Sequence, residues 1–245
     1  MSNTPKPLIF PIVVAAGVGK RFGSELPKQY SQIHGKTVLE HSVHALTQVK
    51  NLQPLRIVVS AEDEVAKNLT FPLPINLIIG GQERMHSVFN GVQAIWETIS
   101  VENRRLAWVL IHDAARPCVK PNNIEKLIAD VIASEIGQTA GGILAVPVRD
   151  TVKQSGHMGG HLAGQMLSQK TLDRDTLWLA QTPQLFPLEA LYHYLSQAIT
   201  QHIPFTDEAS LFEYFDQTPL LVEGSHSNIK LTFPEDMLFA QVFLV

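Results

Sequence analysis

The chain has 245 residues, 45% hydrophobic and 17% charged, with a net charge of −4. That is enough apolar material for one large α/β core, while the slight acidity excludes a global basic field for nucleic acid or membrane surfaces, so any anion site is built locally. Cys118 is the only cysteine, which excludes an intramolecular disulfide and fits a reducing cytoplasm.

Leu8 to Val14 is apolar, but Pro7 and Pro11 interrupt it and it is short for a signal peptide; no run reaches the roughly 18 residues of a membrane span. Leu8 to Ala15 therefore reads as a buried strand ended by glycine. Thr37 opens a helix, with Glu40 three residues on as in a capping box, and Leu39, Val43 and Leu46 fall on one face. Leu55 to Ser60 and Ile75 to Ile79 read as further buried strands. Val88, Val92, Ile95 and Ile99 mark a second amphipathic helix. Ala107 to His112 is a strand, Ile124 to Ile136 a helix and Gly142 to Val148 a strand. This alternation predicts an α/β fold with a mostly parallel, mixed sheet covered on both faces. From 149 to 176 the chain is polar and glycine-rich without a helical stripe. Short strands are then expected at Trp178–Ala180, Leu220–Glu223 and Ile229–Thr232, with helices at Leu188–Ile199, Asp207–Tyr214 and Pro234–Phe243. Trp178, in an apolar strand, reads as packing rather than base stacking. Residues 1–245 read as one domain with an excursion near 149–176.

The first strand runs into Ala15-Ala16-Gly17-Val18-Gly19-Lys20-Arg21-Phe22-Gly23. Small residues let backbone N–H groups approach a phosphate closely. A Walker A loop is excluded, because Val14 stands where its first glycine belongs and Arg21 where it needs Ser or Thr; the glycine spacing also misses the dinucleotide fingerprint. Lys20, Arg21 and Lys28 place three cations in this Gly/Pro-rich stretch, which suits a polyanion better than a plain turn does. Gly80-Gly81-Gln82-Glu83-Arg84-Met85-His86-Ser87 follows a strand, where open α/β sheets bind ligands; Ser87 either hydrogen-bonds a base or ribose or simply sits in the first helical turn. In His112-Asp113-Ala114-Ala115-Arg116-Pro117 a strand ends in Asp113, placed to hold a ribose hydroxyl or Mg²⁺, or else to form a turn paired with Arg116. The ten histidines include His41 with His44 and His157 with His161, neither pair in the acidic context of a zinc site.

Together with Pro27-Lys28-Gln29-Tyr30, Pro147-Val148-Arg149-Asp150-Thr151-Val152-Lys153, Gln181-Thr182-Pro183-Gln184, Thr206-Asp207-Glu208-Ala209-Ser210, Val222-Glu223-Gly224 and Asn228-Ile229-Lys230, these motifs occur in the order seen in methylerythritol phosphate cytidylyltransferases, and the chain resembles that family over roughly residues 8 to 243. The resemblance implies a Rossmann-like nucleotidyltransferase domain with a protruding β-arm, here 149–176, that joins two subunits. It implies CTP and 2-C-methyl-D-erythritol 4-phosphate as substrates, Mg²⁺ as cofactor and a homodimer. Arg21, Lys28, Arg174 and Lys230 are the implied catalytic cations. Ala15, Ala16, Gly17, Gly19, Gly81, Ser87, Asp113 and Ala114 match the nucleotide contacts, and Thr151, Arg174, Thr182 and Arg116 the polyol phosphate side. Asp113 is the candidate metal ligand, beside the CTP phosphates themselves.

Three positions depart from the family pattern. Ser227 stands where an Asp is common, so no role of that acid carries over. Lys20 replaces a common Arg, keeping charge without the fork. Gln82-Glu83 leaves Glu83 unassigned. The implied mechanism follows from charge: a phosphate monoester with a second pKa of about 6 is already largely ionised, needs no enzymic base, and attacks the α-phosphorus of CTP in line. Two other readings remain at this point, a ribitol 5-phosphate cytidylyltransferase and a catalytically silent nucleotide sensor on the same fold.

Overall fold

The computed structural model describes residues 6–17, 26–134, 140–157 and 166–244. Gly19 and Arg21, which carry two of the expected contacts, and His161 lie outside the described residues. Strand β1 (Leu8–Val14) is followed by a 3-10 turn at Lys28–Tyr30 and a small hairpin of β2 (Gln32–Ile33) and β3 (Lys36–Thr37). The hairpin turns through His34 and Gly35, both at positive φ (48° and 77°), as a two-residue turn demands. Helix α1 (Val38–Thr47) starts as its sequence predicts: the Thr37 hydroxyl accepts the Glu40 N–H, and the Glu40 carboxylate accepts the Thr37 N–H. Then come β4 (Leu55–Val59), α2 (Val65–Asn68), β5 (Ile75–Ile79), α3 (Arg84–Thr98), α4 (Val101–Arg104), β6 (Ala107–Asp113), α5 (Pro121–Ser134) and β7 (Gly142–Pro147). Strands β8 (Lys153–His157) and β9 (Met166–Thr171) form a separate antiparallel ribbon within the 149–176 excursion. The chain continues through β10 (Trp178–Pro187), α6 (Leu188–Thr200), α7 (Glu208–Tyr214), β11 (Leu220–Glu223) and α8 (Asp236–Phe243).

Among the described residues the main sheet has seven strands in the order β11-β7-β10-β6-β1-β4-β5. Every neighbouring pair is parallel except those of β10, which runs antiparallel to both β6 and β7. Alternation along β1 sends Ile9 and Val13 to one face and Phe10 and Ile12 to the other. The first face packs on Leu39, Val43 and Leu46 of α1 and on Ile124, Leu127 and Val131 of α5. The second packs on Val88, Val92 and Ile95 of α3 and on Leu188, Leu191 and Leu195 of α6. Each such fully buried aliphatic side chain contributes about 1.5–3 kcal/mol relative to exposure. Pro11 lies in the middle of this central strand without an N–H. The register with the neighbouring segment shifts by one residue across it: Ile9 bridges Leu52, whereas Ile12 partners Arg56.

Four sequence expectations change. Ile75–Ile79 is the sheet edge rather than a buried strand, with Ile79 49% exposed. The short strand at Trp178 extends through Pro187, shifting register between Ala180 and Gln184. Trp178 is 38% exposed, at the surface rather than in the core. Ile229–Thr232 is not a strand, because its backbone serves another purpose: Leu231 N–H binds Ala115 O, and Lys28 Nζ binds Leu231 O. No helix among the described residues is long and apolar enough to cross a membrane.

Candidate active site

Chain order sets the place of the site. After β1 the sheet grows one way through β4 and β5, then returns to add β6 on the other side of β1. A crevice opens where order reverses, beyond the C-terminal ends of these parallel strands. Ala15–Gly17 leaves β1 there, and Asp113–Ala115 leaves β6. The resulting cleft has a volume of about 380 Å³. Of the residues expected to act, Ala15, Ala16, Gly17, Lys28, Gly81, Ser87, Asp113, Ala114 and Lys230 all line it.

One wall of the cleft is built from backbone and small groups. Gly81 is needed for close packing, since a Cβ on it would lie 2.3 Å from the His86 Cβ. Ser87 lies in the first turn of α3 and is 2% exposed; its Oγ accepts the Gly81 N–H at 3.1 Å and reaches Glu83 O at 3.1 Å. The serine thus ties the glycine loop to the helix while bordering the cleft. On the opposite wall, Gln29 Nε2 donates to Ala15 O at 2.7 Å, and the Tyr30 hydroxyl donates to Asp63. These two buried bonds fix the turn that carries Lys28 against the β1 loop.

A chain of alternating charges crosses the floor. Glu208, at 0% side-chain exposure, holds Arg84 by a fork, Oε1 to Nη1 at 2.7 Å and Oε2 to Nη2 at 3.0 Å. Arg84 Nε reaches Asp113 Oδ1 at 3.2 Å, and Asp113 Oδ2 accepts from Lys230 Nζ at 2.7 Å. Burial disfavours charge on Asp113, but Arg84, Lys230 and Arg116 outweigh it and hold the carboxyl well below the usual range. Burial likewise opposes the Arg84 charge, and Glu208 and Asp113 more than restore it. Asp113 and Arg116 share the backbone turn, where Arg116 N–H binds Asp113 O, and their charges interact without a direct side-chain ion pair. The Arg116 guanidinium instead donates to Asn228 O at 2.7 Å and Ala180 O at 3.2 Å.

A smaller cleft of about 170 Å³ adjoins the first. Thr182, Arg116, Gln184 and Asp207 line it, and it shares Arg84, Asp113 and Lys230 with the larger one. Two compartments therefore meet at one carboxylate and two cations. Thr151 and Arg174 line neither. Both are exposed, and the Arg174 Nη1 donates to Arg149 O beside the ribbon. Another hollow, of about 360 Å³, lies at the opposite end of the sheet around Leu46, Leu52, Pro54 and Leu73; it is mostly apolar and lacks converging charges.

Sequence reasoning did not single out Glu208, Gln29 or Arg84 as working parts. Glu208 carried one usable signal, a carboxylate in the first turn of a helix on its apolar side. His112 was also missed: it is fully buried, and burial lowers its pKa from 6.5 to about 4. Between those values the unfolded chain carries a proton that the folded chain excludes. Stability therefore falls as pH drops through that window, by about 3 kcal/mol in all. Urea denaturation of His112→Asn, which cannot titrate there, should show a shallower acid loss between about pH 6.5 and 4 than the parent chain. Parallel pH slopes would contradict it.

An open α/β sheet with cations and a held carboxylate around paired clefts at its switch point suits phosphorylated ligands. The model of the 2-C-methyl-D-erythritol 4-phosphate cytidylyltransferase family matches residues 9–245. A protein of that name from Vibrio vulnificus (strain CMCP6) is 40% identical over 235 residues, covering 95% of this chain and 93% of its own. One from Escherichia fergusonii is 42% identical over 237 residues, covering 95% and 92%. Among solved structures, a 4-diphosphocytidyl-2C-methyl-D-erythritol synthase superposes with a TM-score of 0.79 at 34% identity, covering 98% of this chain and 100% of its own. The Francisella tularensis cytidylyltransferase gives 0.76 at 31% identity, covering 96% and 99%. The chain belongs to the 2-C-methyl-D-erythritol 4-phosphate cytidylyltransferase family.

Proposed function

We propose that this chain transfers CMP from CTP to 2-C-methyl-D-erythritol 4-phosphate, releasing pyrophosphate and forming the CDP-methylerythritol intermediate of non-mevalonate isoprenoid biosynthesis. The observation that carries the reading is the pair of clefts joined at Arg84, Asp113 and Lys230. One compartment suits a nucleotide and the smaller one a polyol phosphate, with the reacting groups at the junction. Family membership favours this over ribitol 5-phosphate or a silent sensor.

A phosphate oxygen of the acceptor attacks the α-phosphorus of CTP, and the bond to pyrophosphate breaks. Repulsion between two anions is the obstacle, and Lys28, Lys230 and Arg21 offset it. Lys230, at 44% side-chain exposure, is free to trade Asp113 for a phosphate. Asp113 also fits a divalent cation held mainly by substrate phosphates. Its carboxylate offers about four lone-pair sites, and Arg84 and Lys230 use two. Mg²⁺ held there would supply positive charge against the triphosphate. Ala15–Gly17, Gly81, Ser87 and Ala114 enclose the cytidine, while Thr182 and Arg116 face the acceptor.

We read residues 1–245 as one nucleotidyltransferase domain, with the 149–176 excursion as the arm of a homodimer. The isolated ribbon of β8 and β9, with Met166 59% exposed, supports that assignment. On this reading Thr151 and Arg174 serve the neighbour's cleft. The free, buried Cys118 fits a cytoplasmic protein. The function is tested by pyrophosphate release with CTP and a panel of polyol phosphates. Mg²⁺-dependent release is expected with CTP ahead of UTP and ATP, and with methylerythritol phosphate ahead of ribitol 5-phosphate. Faster initial rates with a purine triphosphate would overturn the base assignment.

A further inference from the structure

Four buried or half-buried residues at the smaller cleft, two of them in its lining, close a ring of hydrogen bonds. His112 Nε2 lies 3.1 Å from Arg116 O. The Arg116 guanidinium donates to Asn228 O at 2.7 Å. The Asn228 amide donates to Thr182 O at 2.8 Å. The Thr182 hydroxyl lies 3.0 Å from His112 Nδ1, which completes the circuit. His112 and Asn228 are both 0% exposed and Thr182 is 5% exposed.

The ring dictates which way each hydrogen points. A carbonyl can only accept, so the His112 nitrogen facing Arg116 O carries the ring proton. In the neutral imidazole the other nitrogen, Nδ1, then has only a lone pair. Thr182 must therefore donate its one hydroxyl hydrogen to His112. The same oxygen also accepts the Asp113 N–H at 3.1 Å. A hydroxyl has one hydrogen and two lone pairs. The hydrogen and one lone pair are consumed inside the protein, and a single lone pair remains at a residue that lines the acceptor cleft.

We propose that His112 is a positioning residue that fixes Thr182 as an acceptor only, so that Thr182 reads a hydroxyl of the polyol substrate and gives nothing to its phosphate. This rests on the acceptor being a polyol phosphate, as proposed above. It divides the cleft chemically. The phosphate is left to the cations Lys230 and Arg116, while one carbon-bound hydroxyl must donate to Thr182. A substrate without that hydroxyl leaves the Thr182 lone pair unmet, whereas a site holding a freely rotating hydroxyl would tolerate the change better.

The test compares methylerythritol phosphate with analogues that each lack one hydroxyl, at saturating CTP. The parent enzyme should discriminate against one of them by about ten-fold or more in kcat/KM. Thr182→Val, which keeps shape and loses the oxygen, should lose that discrimination. His112→Gln, which removes the Nδ1 acceptor, should also lose it and raise the KM for the polyol phosphate. His112→Asn, whose oxygen can take the place of Nδ1, should retain most of it. Full discrimination in Thr182→Val or in His112→Gln would overturn the proposal, and equal loss in the Asn and Gln variants would reduce His112 to a packing residue. Should the histidine variants fold poorly, ¹⁵N spectra of His112 in the parent protein decide independently. A neutral ring protonated at Nε2 is expected, and a proton on Nδ1 would refute the proposal. Absence of turnover with every polyol phosphate, alongside the expected ¹⁵N spectrum, would instead count against the proposed function.

Discussion

Replacing Lys28 by alanine is expected to lower kcat by about 100-fold or more while the protein remains folded. Lys28 stands on a 3-10 turn at the cleft wall, and its Nζ is held by the Leu231 carbonyl. The turn itself is also anchored by Gln29 and Tyr30, through bonds to Ala15 O and Asp63. Removing the side chain therefore deletes a preorganised positive charge without opening a core cavity. Charge that develops on the phosphates during transfer has no comparable substitute from water in an enclosed site. Arg21→Ala is expected to cost a similar factor. Steady-state rates of pyrophosphate release on the purified variants, with circular dichroism to verify folding, provide the check. Turnover near the parent rate in folded Lys28→Ala would remove the lysine from the catalytic machinery.

Mixing inactive variants should restore activity. If Arg174 serves the neighbouring subunit's cleft, homodimers of Lys28→Ala and of Arg174→Ala are both nearly inactive. A mixed dimer then collects both lesions in one site and leaves the other intact. After random exchange of equal amounts, about half the dimers are mixed and each has one sound site, so activity returns to about a quarter of the parent. The position of Arg174 motivates this. It sits at the end of the excursion, 53% exposed, bound to Arg149 O and Asp175, outside both clefts of its own chain. If it acted within its own subunit, every site in the mixture would carry a lesion. Failure to recover after verified exchange would reject the shared site even in a dimeric protein.

Much of the frame was legible because local chemistry suffices to specify it. The apolar run at Leu8–Val14, the Thr37/Glu40 capping box and the stripe of Val88, Val92 and Ile95 each encode their element within a few residues. Edge position was not legible: Ile75–Ile79 is as apolar as a central strand, yet among the described residues it ends the sheet, and Leu77 and Ile79, on one face, are left exposed. Ile229–Thr232 also has strand-like composition, yet its carbonyl and amide are claimed by Lys28 and Ala115, far away in sequence.

The sequence by itself determined the α/β alternation, the loop at the end of β1 and the motifs that identify Lys28, Asp113 and Lys230 as a set. Those follow from residue type and short spacing, which need no knowledge of the fold. Only the tertiary structure decided what the charges do to one another. Glu208 meets Arg84 across 124 residues and Lys230 meets Asp113 across 117. Such pairing depends on where the strands end in space, so neither the buried fork on Arg84 nor the single lone pair left on Thr182 can be read from any local pattern. Both arise because the strand order reverses at β1 and distant loops meet at one crevice, where polar groups taken out of water need partners.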